Sequence, residues 1–306
     1  MNMQDLMSLT DAYIALGSNL GDRAATLDAA LSRLQEPPEI TLISWSRFYE
    51  TAPVGGPPGQ GPFLNAAARL ETTLDPHQLM GVLRSVEREF HRVRGERWGE
   101  RTLDLDLLMH GSTFLDTEEL SLPHPRMALR PFVLRPLAEI APNLVDVVTG
   151  RTVADLLARL DQPSRIIALD GPAGPALEEV LARLMEALPA IGVRRFEQDP
   201  TFPHEMGETR YLVPESLKPF RLDRSLDSHW FVVERWDESD PIQPAAEPCE
   251  TLFRLILPSV PRTRRCPGFS RTPCLWPESD DPEAVVAEAV ATARGIFAGP
   301  AIAKDG

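Results

Sequence analysis

Two hydrophobic periods alternate along this chain, and the switches between them mark its elements. Ala12–Gly17 (AYIALG) reads as a short apolar strand that runs into a turn at Ser18–Gly21. Leu27, Ala30, Leu31 and Leu34 then recur at helical spacing, and Pro37 and Pro38 close that helix. Ile40, Leu42, Ile43, Trp45 and Phe48 give Ile40–Glu50 strand character. After a glycine- and proline-rich loop at Val54–Pro62, Phe63–Thr73 alternates as the second strand of a hairpin-like pair. Asp75-Pro76 opens a helix to about Phe90, with proline at its first position. Thr102–Met109 (TLDLDLLM) is a strand, and beyond the loop at Leu122–Arg126 a helix covers roughly Met127–Ile140.

The order strand, helix, strand, strand, helix, strand matches an α+β ferredoxin-like sandwich. A helix at Val153–Leu160 closes it, and Asp161–Ser164 reads as a linker. The pattern then restarts. Arg165–Leu169 is an apolar strand, Asp170–Pro175 a glycine turn, and a helix follows to about Leu188, the opening of an α/β nucleotide-binding unit. Trp230–Val233 and Thr251–Leu257 are further strands and Glu283–Phe297 an amphipathic helix, whereas the scattered prolines of Asp199–Pro219 fit no element. No repeat relates the halves. The expected domains are residues 11–160 and 165–306.

Composition narrows the class. A chain of 306 residues that is 43% apolar can bury two cores, which excludes wholesale disorder. No run reaches the roughly eighteen uncharged apolar residues a membrane span needs, and Met1–Asp11 carries acids and no base, unlike a secretion signal. Cys249, Cys266 and Cys274 form no CxxC pair, which fits a reducing compartment and gives no zinc site. The expectation is a cytoplasmic protein with no membrane partner. A net charge of −14 argues against nucleic acid as a partner. The cations are nonetheless clustered: Arg84, Arg88, Arg92, Arg94, Arg97 and Arg101 lie close together, while lysine occurs only at 218 and 304. On composition alone they form a solvated helix face paired with Glu87, Glu89, Glu96 and Glu100.

The strand that follows changes this. In Leu103-Asp104-Leu105-Asp106-Leu107 a period of two puts both carboxylates on one face and the leucines on the other. Two neighbouring anions in a cleft repel unless solvated, paired or bound to metal, and Mg²⁺ favours a few carboxylate oxygens plus water and substrate phosphates. Guanidinium groups beside such a strand suit phosphoryl transfer, because they neutralise the polyphosphate and its developing charge.

Arg97–Leu108 (RWGERTLDLDLL) closely resembles the signature of the 6-hydroxymethyl-7,8-dihydropterin pyrophosphokinase family of the folate pathway. Ala12–Gly21, Phe48–Pro53 (FYETAP), Phe63–Ala67 (FLNAA) and Leu122–Leu137 support it, so that the resemblance covers about residues 11–160. It implies transfer of pyrophosphate from ATP to 6-hydroxymethyl-7,8-dihydropterin with release of AMP. By that resemblance Asp104 and Asp106 hold two Mg²⁺ ions on the ATP phosphates. Arg92, Arg94 and Arg101 belong to a mobile catalytic loop, with Trp98 in it; Arg92 and Arg101 offset charge on the transferred group, and Arg94 and Trp98 serve ATP. Phe63 and Phe132 stack on the pterin ring, Asn65 hydrogen-bonds its edge, and Thr51 and Val54 line the same pocket through their backbone. Glu87, His124 and Arg130 match positions near the nucleotide. His91 and Pro125 depart from the family pattern.

Ile166–Glu179 (IIALDGPAGPALEE) resembles the start of a deoxynucleoside kinase, a P-loop family, with Asp223–Ser225 and Phe196–Pro200 echoing later motifs. The positions of the second glycine, the lysine and the Ser/Thr of the P-loop are Ala176, Leu177 and Glu178. Without the lysine no cation meets the β/γ-phosphates, and Glu178 places an anion there. The second domain is therefore read as a degenerate P-loop-like α/β domain with a structural or dimerising role, as in a homodimer joined through it. The competing readings are an inactive scaffold and a bifunctional enzyme with nucleoside kinase activity. The intact Asp104, Asp106, Arg92, Arg101 and Asn65 argue against the first, and the missing lysine against the second.

Overall fold

The structure is a computed structural model that describes residues 9–90, 99–161, 166–171, 175–187, 191–196, 229–235, 251–257, 273–275, 277, 279, 281–298 and 301–302. The chain divides into two units, Met1–Ala158 with Thr292–Gly306, and Arg159–Ala291.

The first unit contains β1 (Thr10–Ser18), α1 (Arg23–Arg33), β2 (Ile40–Trp45), β3 (Tyr49–Thr51), β4 (Phe63–Thr72), α2 (Pro76–Glu89) and β5 (Asp104–His110). Two small antiparallel pairs follow, β6 (Leu115–Asp116) with β7 (Ser121–Leu122), and β8 (Val145–Asp146) with β9 (Arg151–Thr152). Between them lie a single 3₁₀ turn, Met127–Leu129, and α3 (Pro131–Ile140). The helix α4 (Val153–Leu160) closes this part of the chain.

Helix starts are written locally. Asp22 caps α1 by accepting the Ala25 N–H at 3.1 Å. Asp75 and Gln78 exchange side chain-to-backbone bonds of 2.9 Å each, a reciprocal cap with Pro76 in the first turn of α2.

The main sheet runs β15-β3-β4-β1-β5, with β2 also on β4; β15 is a two-residue strand, Ala301–Ile302, from the end of the chain. All its pairings are antiparallel, the α+β arrangement expected from the order of elements. Ala12, Ile14 and Leu16 of β1, Leu64, Ala66, Ala68 and Leu70 of β4, and Leu105 and Leu107 of β5 all point to one face. There they meet Leu27, Leu31 and Leu34 of the α1 region and Leu79, Leu83 and Val86 of α2. The helix α3 packs on β4 and β3 with Val133, Leu134 and Leu137 buried apart from that cluster, so it covers the opposite face.

Two expected elements are divided in the structure. Strand character at Ile40–Glu50 becomes β2 and β3, because Ser46 leaves the ladder: its N–H donates to the Ala67 carbonyl at 2.9 Å while its hydroxyl accepts the Ala67 N–H at 3.0 Å. The helix expected at Met127–Ile140 is interrupted at Arg130, whose backbone is extended (φ −114°, ψ 100°). Arg130 precedes Pro131, and the proline ring disfavours helical geometry in the residue before it.

The second unit contains β10 (Ile166–Gly171), α5 (Pro175–Ala187), β11 (Ile191–Phe196), β12 (His229–Arg235), β13 (Thr251–Ile256), β14 (Cys274–Leu275) and α6 (Pro282–Ala298) as far as Ala291. Its sheet is parallel throughout, in the order β11-β12-β10-β13-β14. The turn at 172–174 and the stretches carrying Asp223–Ser225 and Glu197–Pro200 lie outside the described residues. Among the described residues, no helix is long and apolar enough to cross a membrane.

Candidate active site

The site stands on the face of the first sheet that α1 and α2 leave uncovered. Because Leu103, Leu105 and Leu107 are drawn into the core, the alternation of β5 turns Asp104 and Asp106 to the other face, with side chains 22% and 33% exposed. The buried Glu87 on α2 takes the Leu105 N–H at 2.8 Å, which anchors the backbone between the two aspartates to the helix.

Each carboxylate has a cationic neighbour. Arg101 Nη1 lies 2.7 Å from Asp104 Oδ2. Arg130 Nη1 lies 3.5 Å from Asp106 Oδ2, and His124 Nε2 lies 3.8 Å from the same oxygen. Arg130 is deeply set. Desolvation lowers its pKa, the Asp106 carboxylate raises it and Arg126 lowers it again, yet a guanidinium stays charged across any working pH.

His124 is held from two sides. Its backbone N–H donates to the Leu108 carbonyl at 2.8 Å, and its ring Nδ1 accepts the Arg126 backbone N–H at 3.1 Å.

Register decides what lies beside the carboxylates. Gly17 of β1 is paired with Asn65 of β4 on one side and with Asp104 of β5 on the other. A Cβ at Gly17 would meet Asn65 Oδ1 at 3.4 Å, Asp104 Cβ at 3.8 Å and Phe63 Cδ1 at 3.9 Å. These three side chains, an amide, an aromatic ring and a carboxylate, thus converge around a residue that has none. Asn65 is buried, and its Nδ2 donates to Thr51 Oγ1 at 2.9 Å and to the Tyr49 carbonyl at 3.4 Å. Phe63 pairs across the ladder with Thr51 and has the Arg101 guanidinium 6.0 Å from its ring centre. Phe132 has Arg130 at 5.5 Å in the same manner.

Of the residues singled out in the sequence, Arg101 meets Asp104, and His124 and Arg130 meet Asp106 on the same face of β5, while Thr51, Phe63 and Asn65 form a second group beside them. Phe132 joins the first group through Arg130. Val54 follows β3 in the chain and is half-buried. Arg92, Arg94 and Trp98, like His91, lie outside the described residues.

Two contributors were not identified from the sequence. Gly17, at the end of the expected first strand and leading into the turn, is the residue around which Asn65, Phe63 and Asp104 converge. Asn19, within that turn, clasps Arg101: its Oδ1 accepts the Arg101 N–H at 2.8 Å and its own N–H donates to the Arg101 carbonyl at 3.2 Å. Their only signal was their place in the motif Ala12–Gly21.

Among the described residues, no group of three or more His, Cys, Asp or Glu side chains is disposed to enclose a metal. Two carboxylates without a third donor suit a hydrated, hard cation that takes most of its oxygens from water and phosphate, as Mg²⁺ does.

The family model for 7,8-dihydro-6-hydroxymethylpterin-pyrophosphokinase matches residues 13–142. A Methylorubrum extorquens protein named 2-amino-4-hydroxy-6-hydroxymethyldihydropteridine pyrophosphokinase is 46% identical over 158 residues, 52% of this chain and 98% of that one. A Bacillus subtilis protein of the same name is 47% identical over 139 residues, 45% of this chain and 83% of that one. The crystal structure of wild-type Plasmodium falciparum HPPK-DHPS with pterin and p-hydroxybenzoate is a distant likeness. It shows 14% identity and a TM-score of 0.40 over 67% of this chain, which spans 59% of that longer chain.

Proposed function

The chain belongs to the 7,8-dihydro-6-hydroxymethylpterin-pyrophosphokinase family, and on that premise we propose how its residues divide the work. The activity is transfer of pyrophosphate from ATP to 6-hydroxymethyl-7,8-dihydropterin, releasing AMP, a step of folate biosynthesis. ATP is the co-substrate and Mg²⁺ the accompanying metal.

The observation that carries the assignment of residues is the row Asn65–Gly17–Asp104 across three strands. An amide with both donor and acceptor suits the edge of a pterin, and the glycine between it and Asp104 adds no side chain of its own to that row. In this reading Phe63 and Phe132 stack on the ring, while Thr51 orients the Asn65 amide and, with Val54, lines the pocket. The hydroxymethyl group then points toward the carboxylate side, where the polyphosphate must lie for attack on its β-phosphorus.

Asp104 and Asp106 would hold Mg²⁺, two ions in the fuller version of the proposal, which would lower the charge of the polyphosphate and fix its oxygens. Arg101 and Arg130, each beside one carboxylate, face the same phosphates and offset the charge developing on the transferred group. Asn19 holds the Arg101 backbone in place for this. Glu87 positions the metal-binding strand through Leu105, and His124, tied to the backbone at both ends, flanks Asp106 on the nucleotide side. Arg92, Arg94 and Trp98 complete the reading as residues that act on ATP, the two arginines by offsetting charge on its phosphates.

Residues 11–160 form the catalytic domain in this proposal, and residues 165–306 a degenerate deoxynucleoside-kinase-like domain with a structural or dimerising role. The parallel sheet with β10 at its centre, followed in the chain by α5, supports the latter. Release of AMP from ATP by the full chain, measured with and without 6-hydroxymethyl-7,8-dihydropterin, tests the whole. Pterin-dependent AMP is the expected result; ADP, or AMP formed equally without the pterin, would sink it.

A further inference from the structure

The segment 49–54, made of β3 and the residues after it, is held from a distant part of the chain. A three-residue strand has few ladder bonds of its own. On one side β3 pairs with β4: Tyr49 opposite Asn65, Glu50 opposite Leu64, and Thr51 opposite Phe63. On the other side β15 pairs with it, Ala301 opposite Glu50 and Ile302 opposite Tyr49, so the edge is covered.

A second contact lies just beyond the strand. The last turns of α6 bring the buried Gly295 against Val54, so close that a Cβ at 295 would sit 2.8 Å from both Val54 Cγ1 and Cγ2. No real Cβ tolerates that distance, so the approach requires glycine, one of the poorest residues for a helix interior. By contrast, Gly81 in α2 has nothing within 4 Å of its Cβ position, so close contact is not general to helical glycines here. Thr292–Gly306 groups with Met1–Ala158, although the chain between 159 and 291 belongs to the other unit.

We propose that Thr292–Ile302 is a positioning element for the pterin subsite, pinning β3 through β15 and Val54 through Gly295. This rests on the reading of Thr51, Val54 and Asn65 as pterin-pocket residues. The strand it covers carries Thr51, whose hydroxyl orients Asn65, and leads into Val54, whose backbone lines the pocket. ATP meets the opposite edge of the sheet. Displacing this element should therefore weaken pterin binding and spare ATP.

The test compares steady-state KM values for pterin and ATP in variants of the full chain. Gly295→Ala should raise the pterin KM about 5- to 20-fold, since crowding by one methyl shifts a packed neighbour by a fraction of an ångström or more. The ATP KM should stay within about twofold, there being no contact to disturb at the far edge. Adding Val54→Ala removes the two methyl groups in the way, so the double variant should recover most of the loss. Ile302→Pro, which removes a backbone N–H from β15, should act in the same direction and decides the matter if Gly295→Ala is too unstable to assay.

Asn65→Ala separates the two levels of the argument. If it raises the pterin KM while Gly295→Ala and Ile302→Pro leave it unchanged, or raise both KM values together, the positioning role is wrong and the pocket assignment stands. If Asn65→Ala leaves the pterin KM unchanged, the pocket assignment fails and takes this inference with it.

Discussion

The two edges of the first sheet are built in opposite ways. At one edge, β5 is seven residues long, buries its leucines, and is fastened by Glu87 to the helix just before it in sequence. At the other, β3 is three residues long and depends on β4, on α3 and on a strand from the far end of the chain. The β5 edge carries the proposed phosphate chemistry and the β3 edge the proposed ring recognition. Reaction geometry thus rests on a strand that sets its own faces by alternation. Recognition rests on one that other segments must hold, and is the edge more open to adjustment.

The largest effect should come from the β5 edge. Asp104→Asn and Asp106→Asn should each lower kcat by about 10²–10³-fold, with pterin affinity by direct titration nearly unchanged. A loss of pterin affinity equal to the loss of turnover would erase the division between the edges. Next is the row between them. Gly17→Val would crowd Asn65, Phe63 and Asp104 and should weaken pterin binding by about tenfold or more, measurable in the same titration. Unchanged affinity would place the ring elsewhere.

Smaller effects probe stability. Glu87→Ala removes the acceptor of a buried N–H and should destabilise the fold by about 1–3 kcal/mol in denaturant unfolding, with the ATP KM rising before the pterin KM. At the β3 edge, Tyr49 donates to Glu139 at 2.6 Å, and Tyr49→Phe should cost about 1 kcal/mol.

The same tyrosine gives a pH test. Burial, then the Glu139 carboxylate, raises its pKa above the ordinary tyrosine value, and burial raises that of Tyr13 as well. A raised folded-state pKa means the unfolded chain loses its proton first. The contribution is therefore complete below about pH 10 and disappears as pH rises through the folded values. Alkaline unfolding should start at higher pH in Tyr49→Phe than the loss of its hydrogen bond alone would suggest. The smallest effect is Gly81→Ala, behind the β5 edge, which should gain roughly 0.5–1 kcal/mol and leave both KM values alone.

Legibility in the sequence follows how local each feature is. The start of α2 at Asp75-Pro76 and the alternation of β4 and β5 are written within a few residues, and they appear where expected. Breaks that depend on a partner were not foreseen: Ser46 leaves its strand because Ala67 is there to bond it, and nothing in Ile40–Glu50 announces that. Arg130 is the exception. Its proline neighbour was visible, and the break at that position was open to prediction.

The periodicity of Leu103–Leu107 determined that two carboxylates share the strand face turned away from the leucines, and the arginines around them indicated phosphate. Alternation is a property of each strand alone, so a sequence can carry it unaided. Tertiary structure decided the rest. Only the pairing of β1 with both β4 and β5 sets Asn65 and Asp104 on either side of Gly17, because register is a relation between strands and a shift of one residue would turn each side chain to the other face. Only the fold brings Gly295 onto Val54, since a contact between residues so far apart leaves no local periodicity by which either could be recognised.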